Sequence, residues 1–205
     1  MKLYLSSYQM GDRIDELLGY LGPNARLAIV HNALDGIPAE ERRQYRGFSA
    51  TSFFRERGLD AFDLDLRDYF GEQHRVSEAV SNARLIWAVG GNAFLLRRAM
   101  RESGLDQVIV RRVADGSLTY GGWSAGTCIA GPSLRGIHLM DDPLLAPAGY
   151  DPAIIWEGMS LVDFIIVPHF ASNHPEAAVA ASAVTWLEKA GLAFQAIRDG
   201  DVIVR

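Results

Sequence analysis

The sequence predicts an α/β protein with a mainly parallel central sheet and helices on both of its faces. Three observations carry this reading. Strand-like and helix-like segments alternate from end to end. The run Arg84-Leu85-Ile86-Trp87-Ala88-Val89 is apolar without polar alternation, as in a strand covered on both faces. Glycine-rich turns follow such strands and lead into helices, which is where α/β sheets place their sites.

Residues 2–6 read as the first strand. Residues 12–21 carry Ile14, Leu17, Leu18 and Leu21 at helical spacing, and Gly22-Pro23-Asn24 ends that helix. Residues 26–31 are a second strand. Pro38, followed by Glu40 and Glu41, opens a helix with acids at its positive end, and Gly58 closes it. A third strand at 60–66 and a short helix at 76–83 lead to the buried strand 84–89. After Gly90-Gly91-Asn92, helices follow at 93–102 and 108–114. Then come a strand at 117–121, a helix start at 125–130, a strand at 161–167 and a long helix at 175–189. Residues 194–198 and 202–204 read as a final hairpin around Asp199-Gly200.

With 205 residues, 49% of them hydrophobic, the chain is expected to form a single domain, 1–205, with a sizeable core. Twenty Lys and Arg against 25 Asp and Glu leave a net charge of −5. The basic residues are scattered in ones and twos. This excludes a general nucleic-acid binder, which needs a basic surface to displace phosphate counterions. Cys128 is the single cysteine, so neither a disulfide nor a CxxC zinc site is expected, and it reads as a small buried hydrophobe. The N-terminal apolar run is too short for a signal peptide, and no run of 18 or more apolar residues occurs. A soluble, cytoplasmic protein with no membrane partner is the expectation.

The strongest chemical signal is Gly122-Trp123-Ser124-Ala125-Gly126, a G-x-S-x-G between a strand and a helix. Such a turn strains the serine backbone and projects its hydroxyl beside the free N–H groups of the helix start. Gly90-Gly91-Asn92 could supply one backbone donor of an oxyanion hole and Ala125 N–H the other. Read alone, it is a tight turn with Asn92 as helix cap. His169, in Pro168-His169-Phe170, ends a strand where a general base is wanted, and His31 is its rival. His74 and His174 read as solvated, and His138 as a loop residue. A carboxylate should orient the imidazole, and from the residues alone Asp141, Asp142, Asp163 and Glu157 stay open.

Gly90-Gly91-Asn92, Gly122-Trp123-Ser124-Ala125-Gly126 and Pro168-His169-Phe170 together resemble the dipeptidase E (aspartyl dipeptidase) family of serine peptidases. The resemblance runs from the first strand to the last and is weaker in the C-terminal third. It implies a flavodoxin-like, class I glutamine amidotransferase-like three-layer sandwich. It also implies a Ser124 nucleophile, a His169 base and an Asp141 acid two residues before Pro143, with Asp142 in reserve. Gly91 and Ala125 would donate to the oxyanion. Asn92 and Arg135 would bind a short peptide, Asp-Xaa in the family. The resemblance implies a homodimer, no cofactor and no metal. The Gly-Glu-Thr-Arg segment that follows the family's histidine is missing, and no Lys or Arg occurs between Arg135 and Lys189. Two rivals remain. An α/β-hydrolase esterase or amidase shares the order Ser-Asp-His, although the chain past Ser124 is short for that fold. A member that binds a small ligand without turnover is the other.

Overall fold

The computed structural model describes residues 1–38 and 48–205. Among them, six strands form one sheet: β1 (Leu3–Ser6), β2 (Arg26–Val30), β3 (Asp60–Leu64), β4 (Leu85–Ala88), β5 (Thr119–Trp123) and β8 (Val202–Val204). Their order is β3-β2-β4-β5-β1-β8, with every pair parallel except β1 with β8. A second sheet pairs β6 (Ile165–Val167) with β7 (Phe194–Ala196) in parallel. The expected α/β architecture with a mainly parallel sheet is what forms.

Strand side chains alternate across the sheet, and both faces are covered at its centre, so the inner strands β1 and β4 are buried along their whole length. On one face Leu3, Leu5, Ala28, Val30, Ile86 and Ala88 meet helices α3 (Gln73–Ala79), α4 (Ala93–Ser103), α5 (Leu105–Asp115), α6 (Ala125–Cys128) and α7 (Ala177–Ala190). On the other, Tyr4, Leu27, Ile29, Leu85 and Trp87 meet α1 (Ile14–Leu21) and α2 (Ala50–Arg55). Gly126 brings α6 directly onto β4, because a β-carbon there would overlap the Ala88 carbonyl.

The helix start expected at Pro38, Glu40 and Glu41 lies largely outside the described residues. Within them a helix, α2, starts after Ser49, whose Oγ accepts the Ser52 N–H as its N-cap. The third strand stops at Leu64, because Asp65 accepts the Arg67 N–H and turns the chain into a 3-10 helix at Leu66–Tyr69. The strand expected over 161–167 is confined to its last three residues. Leu161 and Val162 N–H donate instead to the Ala130 carbonyl, at the end of the α6 turn.

The C-terminal hairpin does not form. β7 and β8 are joined by the Asp199-Gly200 turn but belong to different sheets. The turn is held by Arg198 N–H to Asp201 Oδ2 at 2.8 Å and Asp201 N–H to the Arg198 carbonyl at 2.9 Å. It carries the chain from the small sheet back to β1, where Tyr4 registers with Val204.

Candidate active site

Ser124 lies between β5 and α6 with φ 49° and ψ −114°, a conformation that a β-carbon strongly disfavours. Neighbouring bonds hold it there. Its N–H donates to the Ser7 carbonyl at 3.1 Å, and its own carbonyl accepts the Thr127 and Cys128 N–H groups. Thr127 Oγ1 donates to the Ser6 carbonyl at 2.8 Å, and Tyr120 OH to the Gly126 carbonyl at 2.7 Å. The serine hydroxyl makes no capping bond to the helix, which leaves Oγ for another partner.

The β4 turn packs against this elbow. A β-carbon on Gly90 would stand 3.2 Å from Ser124 Cβ, and one on Gly91, at φ 137°, would stand 2.5 Å from the Ala33 carbonyl oxygen. Only glycine admits both the approach and the dihedral. Asn92 caps α4 by accepting the Leu95 N–H at 2.9 Å, and its Nδ2 donates to the Asp142 carbonyl at 2.9 Å. Ala125 N–H opens α6, one of the donors a helix cannot satisfy internally.

His169 follows β6 with a positive φ of 62°, and its side chain is only 1% exposed. Nδ1 lies 2.7 Å from Asp199 Oδ1, and the Asp199 N–H donates to Ser172 Oγ at 2.8 Å. Ser7 joins the two halves of the site. Its carbonyl accepts from Ser124, its Oγ accepts the His169 N–H at 2.8 Å, and the same Oγ donates to Asp199 Oδ1 at 2.9 Å. Burial holds the His169 pKa below its ordinary 6.5, with His174 adding to that effect while Asp199 and Glu176 oppose it. The imidazole is therefore neutral at pH 7, with the Asp199 carboxylate placing its proton on Nδ1 and its lone pair on Nε2.

The acid expected at Asp141 is not the one beside the imidazole. Asp141 Oδ2 accepts the Ala93 N–H at 2.8 Å, at the first turn of α4, whose free donors and positive dipole end attract a carboxylate. Burial pushes its pKa up to about 7 against that hydrogen bond, and Glu176 raises it further. Asp142 Oδ1 turns outward to accept the Leu144 N–H. Arg135 lies over the Trp156 ring, 5.2 Å from its centroid. His31, the rival base, pairs with Asp63 at 2.9 Å beside a separate cavity of about 580 Å³.

Four residues near His169 carry no site assignment from the sequence: Ser7, His174, Glu176 and Asp199. His174, expected in solvent, stacks on His169 with ring centroids 3.8 Å apart and planes 8° from parallel. Glu176 Oε2 stands 3.7 Å from His169 Nε2. Ser7 carried a usable signal, since the pair Ser6-Ser7 marks the carboxyl end of a buried strand, where α/β sheets build sites. Asp199 looked like an ordinary turn residue.

The profile of peptidase family S51 matches residues 40–205. The chain belongs to peptidase family S51. Peptidase E of Salmonella arizonae is 38% identical over 106 residues, 50% of this chain and 42% of that protein. Peptidase E of Salmonella typhi is 37% identical over the same length. The chain thus spans less than half the length of the curated relatives it matches. A solved Listeria monocytogenes EGD-e protein assigned as a peptidase E superposes with a TM-score of 0.72 at 22% identity, covering 100% of this chain and 98% of that one. A peptidase from an acI-B1 Actinobacterium superposes with a TM-score of 0.64 at 18% identity, covering 96% and 80%. These two share the S51 chain's fold. Among the described residues no helix is long and apolar enough to cross a membrane.

Proposed function

We propose that this family S51 chain is a serine peptidase acting on short peptides through Ser124, His169 and Asp199. One observation carries the reading: Ser7 ties a strained serine turn and a neutral, carboxylate-oriented histidine to the same residue. His169 Nε2 takes the hydroxyl proton as Ser124 Oγ attacks the scissile carbonyl. The N–H groups of Gly91 and Ala125 stabilise the oxyanion. The same proton passes to the leaving amine, and water then attacks the acyl-enzyme with His169 again as base. Asp199 replaces Asp141 as the orienting acid in this reading.

The finer part of the proposal is a preference for Asp-Xaa dipeptides, which the resemblance to the dipeptidase E family implies, with Arg135 as anchor for the aspartyl side chain. A panel of dipeptides with varied first residues tests both parts. Wild type should release free amino acids, and Ser124→Ala should lower kcat by at least about 10³-fold. Arg135→Ala should slow Asp-Xaa turnover and leave Ala-Xaa turnover alone. Equal turnover of Asp-Xaa and Ala-Xaa would remove the specificity and keep the peptidase. Equal turnover by wild type and Ser124→Ala would remove the serine mechanism.

A further inference from the structure

We propose that His169, His174 and Glu176 form a binding site for a zinc-type divalent cation, and that the bound ion switches the peptidase off by occupying the lone pair of its base. The potential ligand atoms of these three side chains all lie within 4.8 Å of one another. His169 Nε2 and Glu176 Oε2 are already 3.7 Å apart. Zinc bonds of about 2.0–2.2 Å in a tetrahedron place ligand atoms about 3.3–3.6 Å apart, so the separations must close by roughly an ångström in addition to a turn of the His174 ring.

The surroundings suit a metal. Asp199 on His169 Nδ1 makes the carboxylate–histidine pair that commonly backs a metal-bound imidazole, fixing the tautomer that leaves Nε2 free. Two imidazoles and one carboxylate suit zinc, cobalt or nickel, whereas magnesium and calcium prefer all-oxygen sets. The fourth position would hold water. The glutamate is the mobile partner, with its side chain 44% exposed.

His174 must rearrange. Its ring lies parallel to that of His169, so their in-plane lone pairs do not converge, and its Nδ1 accepts the Glu176 N–H at 3.2 Å. Ligation tilts the ring out of the stack and exchanges that long hydrogen bond for the metal. His174 sits outside regular secondary structure and is half-buried, so the tilt disturbs no helix or strand.

Binding requires nothing of Ser124. Only the inhibitory consequence rests on His169 being the serine's base, and the test separates the two. Zinc chloride is titrated calorimetrically into the full chain: wild type, Ser124→Ala, His174→Ala and Glu176→Gln, with magnesium chloride as the control. Even removal of an outer partner costs about 10–100-fold in metal affinity, so loss of a ligand should cost at least ~10-fold. The expected result is one saturable zinc site in wild type and Ser124→Ala, weakened by at least that much in both ligand variants, and no magnesium binding. Glu176→Gln guards against a folding defect in His174→Ala. Fluorophosphonate labelling of each protein, with and without zinc, reads the inhibition as a ratio within that protein. Zinc should suppress labelling of wild type and much less that of the ligand variants. Absent zinc binding, or binding equal in all four proteins as it would be at His31 and Asp63, overturns the site. Binding that depends on His174 and Glu176 in a protein whose serine never labels keeps the site and removes the serine mechanism.

Discussion

Asp141 and Asp199 each accept a short hydrogen bond, but from donors of different kinds. Asp199 meets an imidazole and a hydroxyl. Asp141 meets a backbone N–H at the start of α4, next to the Gly91 turn. Its task in this arrangement is to pin that turn, with Asn92 and the Asp142 carbonyl as a second clamp. The titration of Asp141 reports its burial at this position. Its pKa is about 7 in the folded chain against an ordinary 3.8. Between those values the folded state keeps a proton that the unfolded state has shed. The contribution is therefore full below 3.8 and is lost as pH rises through about 7. Asp141→Asn still offers an oxygen to the Ala93 N–H but cannot ionise. Its melting temperature relative to wild type should rise by at least ~2 °C between pH 5 and pH 8. A difference that does not change with pH would contradict this placement. Nothing in Asp141-Asp142-Pro143 distinguishes a carboxylate that holds a helix start from one that holds an imidazole. Both need a loop acid near the same turn, and only the fold decides which donor it meets.

At the scale of elements, glycines decide how closely the serine turn can approach its neighbours. A β-carbon at Gly126 would overlap the Ala88 carbonyl, so Gly126→Ala must lift α6 from β4. Overpacking of this kind costs about 1–3 kcal/mol, and the displaced elbow should also lose serine reactivity. Gly19 is the contrasting case. It lies exposed within α1, and an added β-carbon would meet nothing within 4 Å beyond its chain neighbours and its own helix backbone. Gly19→Ala should stabilise the protein by roughly 0.5–1 kcal/mol through helix propensity. Urea melts of the two variants check both signs, and a neutral Gly126→Ala would contradict the packing described for α6. Elements with a strong local signal were legible: the helical spacing of Ile14, Leu17, Leu18 and Leu21, and the unbroken apolar run before Gly90. Boundaries set by a single distant partner were not. Leu161 and Val162 are apolar enough for a strand, yet their N–H groups turn to Ala130.

Across the molecule, the site is drawn from the ends of β1, β4, β5 and β6 and from the turn before β8. Ser124 and His169 were readable as candidates because each sits in its own short motif at a strand end. Asp199 was not, because its position depends on topology. β7 joins the small sheet and β8 the large one, and the turn between them crosses to His169. A reading that pairs 194–198 with 202–204 leaves Asp199 at the tip of a hairpin with no partner to orient. The reach of the fold, from Ser7 to Asp199, is what makes one site from segments almost 200 residues apart.

The most direct measurement of the central claim is intact-protein mass after fluorophosphonate treatment, followed over time, on wild type, Ser124→Ala, Asp199→Asn and Asp141→Asn. One adduct should form on wild type and none on Ser124→Ala. Asp199→Asn should slow labelling by up to about 10⁴-fold, the cost of losing the carboxylate that orients a triad histidine, and Asp141→Asn should slow it far less. Labelling of Asp199→Asn at the wild-type rate, with Asp141→Asn unreactive, would contradict the account and return the acid to Asp141.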